Sequence, residues 1–407
     1  MKINTDPKKV DEVLSRGVED VIVKEHLRKE MLSGKELKIY LGTDPTGGEL
    51  HLGHAVIHKK LRDFQELGHK VTLLVGDFTV LVGDHSDKDD QRIELVKSQI
   101  EENMKEYKEQ FGKTVDLSKV NLVYNSSWLK KLDFNDVIDL AKIFTLSQMV
   151  ERDAIQKRLK EEKPVGFDEL LYPLMQGFDA LELKTDIQIG GSDQLFNMQA
   201  GRKIMEHYGV KPQDIITVKL LIGNDGRKMG KSLKNYIPIR SSAFDMYSGL
   251  MTIVDEAIIE YFTLLTRVLQ EEISEMVKAM GEGSVNPKDL KSKLAFEVTK
   301  SFNGEKEARE AEEKFKKVVS KGEVPEDITE IELGDVGKPD SKGKIHLTTL
   351  EILVASKLNQ SRSEARRMIQ QGGFEINGEK ITDPNQIVEL KKDDVIRSGK
   401  RGFVKII

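Results

Sequence analysis

Five short apolar runs, at 37–41, 71–75, 121–124, 187–189 and 215–221, are separated by longer stretches in which apolar residues recur at helical spacing. Strands joined through helices rejoin a sheet in the same direction, so this alternation predicts an α/β fold with a parallel sheet and crossover helices. The first crossover is the clearest. Ile57, Leu61, Phe64 and Leu67 follow the run at 37–41 with a helical period, and Gly68 stands where a helix end needs a left-handed residue. Sheets of this kind bind ligands beyond the carboxyl ends of their strands, so the chemistry is expected in the loops that leave them.

Two such loops carry phosphate-handling residues. From Tyr40 to His54 the chain reads YLGTDPTGGELHLGH, where Gly42 and Gly53 let backbone approach a nucleotide, and Thr46, His51 and His54 can donate hydrogen bonds to a phosphate. Far downstream, Lys228-Met229-Gly230-Lys231-Ser232 follows Gly223-Asn224-Asp225-Gly226. Two lysines there could neutralise a pyrophosphate leaving group without proton chemistry, and the spacing is not that of a Walker A loop. The spacing of His51, His54 and His58 by three and four residues would suit a metal, but the chain has no cysteine and no H-E-x-x-H pattern. No protein-held metal is expected.

At 407 residues the chain exceeds one compact core. Its formal charge of -5 gives no global attraction to nucleic acid, so any RNA contact must be local. Without cysteine a reducing compartment costs nothing, and no stretch approaches the roughly 20 apolar residues of a membrane span. A cytoplasmic location with no membrane partner is expected.

Composition divides the chain further. Residues 1–232 are expected to form the catalytic domain, with a mostly helical insertion at about 125–186. A charged α-helical domain is expected at 233–321, a Gly- and Pro-containing linker at 322–345, and a small α+β domain at 346–407. That last segment holds 11 Lys and Arg against 8 Asp and Glu. Ser361 is a candidate N-cap for a short helix bearing Arg362, Arg366 and Arg367, with Arg362 and Arg366 on one face for RNA phosphates.

The two loops resemble the paired HIGH and KMSKS signatures of class I aminoacyl-tRNA synthetases, with Leu52 and Gly230 as departures, and the C-terminal segment resembles the S4 RNA-binding module. Within the class, three further segments resemble the tyrosyl-tRNA synthetases. In Tyr172-Pro-Leu-Met-Gln176-Gly-Phe-Asp179, the resemblance implies that Asp179, with Tyr40, meets a phenolic hydroxyl while Tyr172 and Gln176 meet the α-amino group. In Gln188-Ile-Gly-Gly-Ser-Asp-Gln194 it implies that Asp193 and Gly191 bind the adenosine and Gln194 the amino acid. In Asp77-Phe-Thr-Val-Leu-Val-Gly-Asp84 it gives Asp84 to the substrate ammonium, although Val80 replaces a usual glycine and His85-Ser86-Asp87-Lys88 replaces a Pro and a Gly-Lys.

The resemblance implies a Rossmann-type catalytic domain and ATP-dependent attachment of L-tyrosine to tRNA(Tyr) through an adenylate. Thr46, His51, His54, Lys228 and Lys231 would stabilise the transition state. Gly42, Asp44, Gly53, Gly191, Asp193 and Ser232 would join the lysines on ATP, which brings its own Mg²⁺. A homodimer is implied, formed through the helical insertion, and the helical domain at 233–321 is expected to contact tRNA as the S4-like domain does. The nearest alternative is tryptophan activation on the same fold, which Asp179 and Tyr40 oppose because an indole offers only a donor. More distant ones are an RNA-binding or regulatory protein that keeps the fold but has lost activity, and an S4-domain RNA-modifying enzyme.

Overall fold

The computed structural model describes residues 3–83, 97–231, 233–320, 328–338, 344–359, 361–399 and 402–407. They form two compact units, Met1–Glu305 and Lys306–Ile407.

The first unit is built on six strands: β1 (Val18–Ile22), β2 (Lys38–Thr43), β3 (Lys70–Val75), β4 (Val120–Tyr124), β5 (Ile187–Gly191) and β6 (Asp214–Val218). They lie in the order β1-β6-β5-β2-β3-β4, and all neighbours from β6 to β4 are parallel. From β2 the chain winds outward through β3 to β4, then returns to the other side of β2 for β5 and β6. The order therefore reverses between β2 and β5, and a crevice opens beyond their carboxyl ends. Helices on both faces demand strands buried on both faces, which is why Ile187, Ile189, Ile215 and Ile216 form nearly unbroken apolar runs with almost no exposure.

All five apolar runs read from the sequence lie on the parallel strands, although the last continues past β6 into the loop at Leu220 and Leu221. The sixth strand, β1, is antiparallel to β6 and was not legible. It is a half-exposed edge strand containing Glu19 and Asp20, so it lacks an apolar signature.

The helix Leu52–Glu66 follows β2 and buries Leu52, Ala55, Val56, Leu61 and Phe64 against the sheet. Gly68 takes φ +95° just beyond its end, the left-handed conformation expected there. The helix Pro287–Asn303 packs on Ala243–Leu250 and on Ile258–Leu265, and Tyr247, Phe262, Leu294 and Val298 are buried on these helices.

In the second unit a five-stranded sheet joins Glu379–Ile381, Phe374–Ile376, Val395–Ser398, Gly402–Ile406 and Thr329–Ile331 in that order. Asn377 and Gly378 turn between the first two with φ +51° and +83°, values that an Asn-Gly pair tolerates in a hairpin. Phe374, Ile396, Val404 and Ile406 pack on Ile352, Leu353, Ala365 and Ile369 to form its core. The helix Arg362–Gln370 is capped by Ser361, whose Oγ accepts from the Glu364 N–H at 3.2 Å. Burial of Ala365 and Ile369 turns Arg362, Arg366 and Arg367 to the exposed side.

Candidate active site

A cleft of ≈ 820 Å³ opens where the strand order reverses, lined by residues from β2, β5, the start of helix Leu52–Glu66, helix Tyr172–Leu183 and the lysine loop. Tyr40, Gly42, Asp44, Thr46, His51, Gly53 and His54 line it from the first loop. Tyr172, Gln176, Asp179, Gly191, Asp193 and Gln194 line it from the middle segments, and Lys228 and Lys231 from the last. Asp84 and Ser232 lie outside the described residues, as do 85–88. Val80, the other departure, is buried beside Thr79 in a single helical turn, Thr79–Leu81.

The two histidines are fixed by the helix they start. His51 is the N-cap, its Nδ1 accepting from the Gly53 N–H at 3.2 Å, while His54 Nδ1 accepts from the His51 N–H at 3.2 Å. Each ring therefore uses Nδ1 as an acceptor and carries its proton on Nε2, so the pair can donate. Burial, with the neighbouring imidazole and the Lys231 charge, holds His51 down at about 2. Burial and Lys231 bring His54 to about 4. Both are neutral donors at pH 7. The glycine between them leaves room for this arrangement, since a Cβ at Gly53 would lie 3.0 Å from the His51 ring and press on it.

The lysine loop is held at both ends. Lys228 pairs with Ile222 in a short antiparallel bridge, and beyond the loop the Leu52 N–H donates to Ile237 O at 3.0 Å and the Ile239 N–H to Leu50 O at 2.9 Å. The buried Asn235 staples its middle: Oδ1 accepts from the Gly230 N–H at 2.9 Å, and Nδ2 donates to Lys228 O at 3.1 Å and to Asp225 at 2.7 Å. Lys228 Nζ stands 3.4 Å from Asp193, and Lys231 Nζ reaches to within 3.5 Å of where a Gly47 Cβ would be. Cationic and imidazole donors thus face one space from both loops.

At the other end of the cleft lies a buried acid. Asp179 Oδ1 accepts from Trp128 Nε1 at 2.7 Å and Oδ2 from Asn125 Nδ2 at 3.1 Å. Burial pushes its carboxyl up to about 8 despite these donors. Asn125 also donates to Thr79 Oγ1 at 3.0 Å. Thr79 in turn donates to Asp44 at 2.7 Å, and the Tyr172 hydroxyl donates to Asp44 at 3.1 Å. The Tyr40 hydroxyl is fully buried beside the Gln213 amide without a hydrogen bond of normal geometry. A ligand hydroxyl arriving between Tyr40 and Asp179 would meet one unsatisfied phenol and a carboxyl with spare lone pairs.

Sequence reasoning missed Asn125, Trp128, Thr79 and Asn235. Asn125 carried a usable signal, because it directly follows β4 and sits at a strand carboxyl end, and Trp128 is the only tryptophan in the chain. Asn235 lay just past the lysine motif.

Residues 32–320 match the family model described as tRNA synthetases class I (W and Y), and 350–396 match the S4 domain. The chain is 41% identical to the tyrosine–tRNA ligase of Thermotoga maritima, over 98% of both chains. It belongs to the tyrosine–tRNA ligase family of class I tRNA synthetases. The ligase of this family from Dehalococcoides mccartyi (strain CBDB1) is 40% identical over 100% of each chain. Among solved structures, the C-terminally truncated mitochondrial tyrosyl-tRNA synthetase of Aspergillus nidulans superposes with TM-score 0.61 at 25% identity, covering 75% of this chain and 92% of that one. The Archaeoglobus fulgidus tyrosyl-tRNA synthetase, solved with L-tyrosine, shares the fold at TM-score 0.61 and 23% identity, over 75% of this chain and 100% of that one. The family model spans tryptophan and tyrosine enzymes alike, whereas the full-length relatives are tyrosine–tRNA ligases.

Proposed function

We propose that this chain attaches L-tyrosine to tRNA(Tyr) at the expense of ATP. The observation that carries the reading is the cleft itself, with a buried acid and phenol at one end and histidine and lysine donors at the other. The tyrosine carboxylate attacks the α-phosphorus of ATP in line, forming tyrosyl-adenylate and releasing pyrophosphate. The terminal ribose hydroxyl of the tRNA then attacks the tyrosyl carbonyl, and AMP leaves. No protein nucleophile takes part, so the rate rests on positioning and on stabilising charge that grows on the phosphates.

In this reading Tyr40 and Asp179 bind the phenol, and Tyr172, Gln176 and Asp84 the ammonium, with Gln194 beside the amino acid. Gly42, Asp44, Gly53, Gly191, Asp193 and Ser232 accommodate ATP. Thr46, His51, His54, Lys228 and Lys231 hold the phosphates, whose Mg²⁺ arrives as part of the nucleotide substrate. Neutral Nε2–H donors suit this task, because they add hydrogen bonds without a proton to lose at working pH. Phenylalanine would leave Asp179 buried without its phenolic donor, which is the strong form of discrimination.

Arg362, Arg366 and Arg367 supply the RNA contact. A homodimer is supported by the large apolar residues exposed in the helical stretch between β4 and β5, Phe134 at 79%, Leu146 at 67% and Phe167 at 76%. The domain limits at 232, 321 and 345 remain part of the proposal, and the cytosol is the proposed location. Incubating the protein with labelled tyrosine, ATP and bulk tRNA should yield acid-precipitable tyrosyl-tRNA. A protein that binds tRNA but transfers no label would fit the RNA-binding alternative instead.

A further inference from the structure

We propose that the helix Lys97–Phe111 is a clamp that keeps the two phosphate-facing loops in register, with Gln110 and Asn103 as its positioning residues. The segment 44–50 between β2 and the helix Leu52–Glu66 lies outside the sheet ladder, so its backbone polar groups need other partners. The clamp helix supplies three. Asn103 Nδ2 donates to Pro45 O at 2.9 Å, Gln110 Nε2 donates to Gly48 O at 2.5 Å, and Gln110 Oε1 accepts from the Leu50 N–H at 2.9 Å. Gln110 is 1% exposed, so water does not compete for these bonds. Its amide grips the loop through a carbonyl and an N–H two residues apart, much as a neighbouring strand would.

The pinned points bracket the chemistry. Thr46 lies between Pro45 and Gly48, and His51 directly follows Leu50. The same helix also reaches the stem of the lysine loop, where Glu106 pairs with Arg240 at 2.8 Å, and just past the helix end Lys113 Nζ lies 3.5 Å from Ile239 O. This helix and the residue just past its end therefore touch the first phosphate loop and the stem beyond the second, though no residue of either belongs to either motif. The buried acid Asp179 takes its partners from Asn125 and Trp128 instead. Loosening the clamp should therefore slow adenylate formation at the α-phosphorus without loosening tyrosine.

The inference rests on the ligase reading, and the experiment separates the two. Tyrosine-dependent ATP–pyrophosphate exchange is measured for the wild type, Gln110→Met and Asn103→Ala, with tyrosine affinity from equilibrium dialysis and folding from thermal unfolding. Misplacing loops in a positioning-based mechanism predicts a fall in kcat of about 10²-fold for Gln110→Met and about tenfold for Asn103→Ala, with tyrosine affinity within about twofold of wild type. Because both pin one loop, the double variant should lose less than the product of the two. Rates near wild type in both variants, or tyrosine affinity lost in step with rate, would overturn the clamp. If Gln110→Met does not fold, Asn103→Ala decides by the same two criteria. A wild type with no tyrosine-dependent exchange counts instead against the ligase reading, and the clamp falls with it.

Discussion

The chemistry of single side chains in the cleft is set by what their second atoms do. His51 and His54 each have Nδ1 occupied by a backbone N–H, and burial keeps both rings neutral. Adenylate formation should then show no histidine limb between about pH 5 and 8, and His51→Asn should lower kcat while leaving the shape of the pH profile unchanged. Lys231→Ala should slow adenylate formation with little change in tyrosine affinity, since in the proposed reading its charge meets the phosphates. Equal losses in both, by pre-steady-state kinetics and dialysis, would refute that division. Asp179 is the opposite case. Its folded form keeps a proton up to about 8 while the unfolded chain releases it near 3.8, so the stability it contributes at low pH is lost as pH rises through that window. Asp179→Asn removes this titration. Its unfolding free energy relative to wild type should rise between pH 5 and pH 8 in urea titrations, while tyrosine activation is lost.

At the scale of elements, what the sequence made legible was whatever repeats or clusters locally. The parallel strands and the helix from Leu52 to its Gly68 end follow from period and cap, and both phosphate loops follow from contiguous motifs. What stayed hidden depends on contacts far apart in sequence. Trp128 meets Asp179 across 51 positions and Gln110 meets Gly48 across 62, and no period encodes such pairs. The edge strand β1 was hidden for another reason, because a half-exposed strand with charged residues looks like a loop. Asn235 shows how such a hidden residue can govern an element. Removing its side chain in Asn235→Ala leaves Gly230 N–H and Lys228 O without their partner, at a cost of about 1–3 kcal/mol. Hydrogen exchange should report that loss as faster opening of the lysine loop than of β2 or β5.

In the proposed reading, the whole molecule activates the amino acid in the first unit and meets RNA through the arginines of the second. Replacing Arg362, Arg366 and Arg367 together by Ala should leave tyrosine-dependent pyrophosphate exchange intact and weaken tRNA charging. If all three meet phosphates, the slope of log affinity against log salt should become shallower by about 2 to 3. An unchanged slope would move the RNA contact elsewhere. What the molecule charges onto tRNA depends on the amino acid chosen by the cleft. Pyrophosphate exchange with tyrosine, tryptophan and phenylalanine side by side is the most direct test of that choice, because it reads the Asp179 pocket and the phosphate loops in a single reaction. Exchange supported by tyrosine alone is the expected result; exchange driven by tryptophan, or by none of the three, would contradict it.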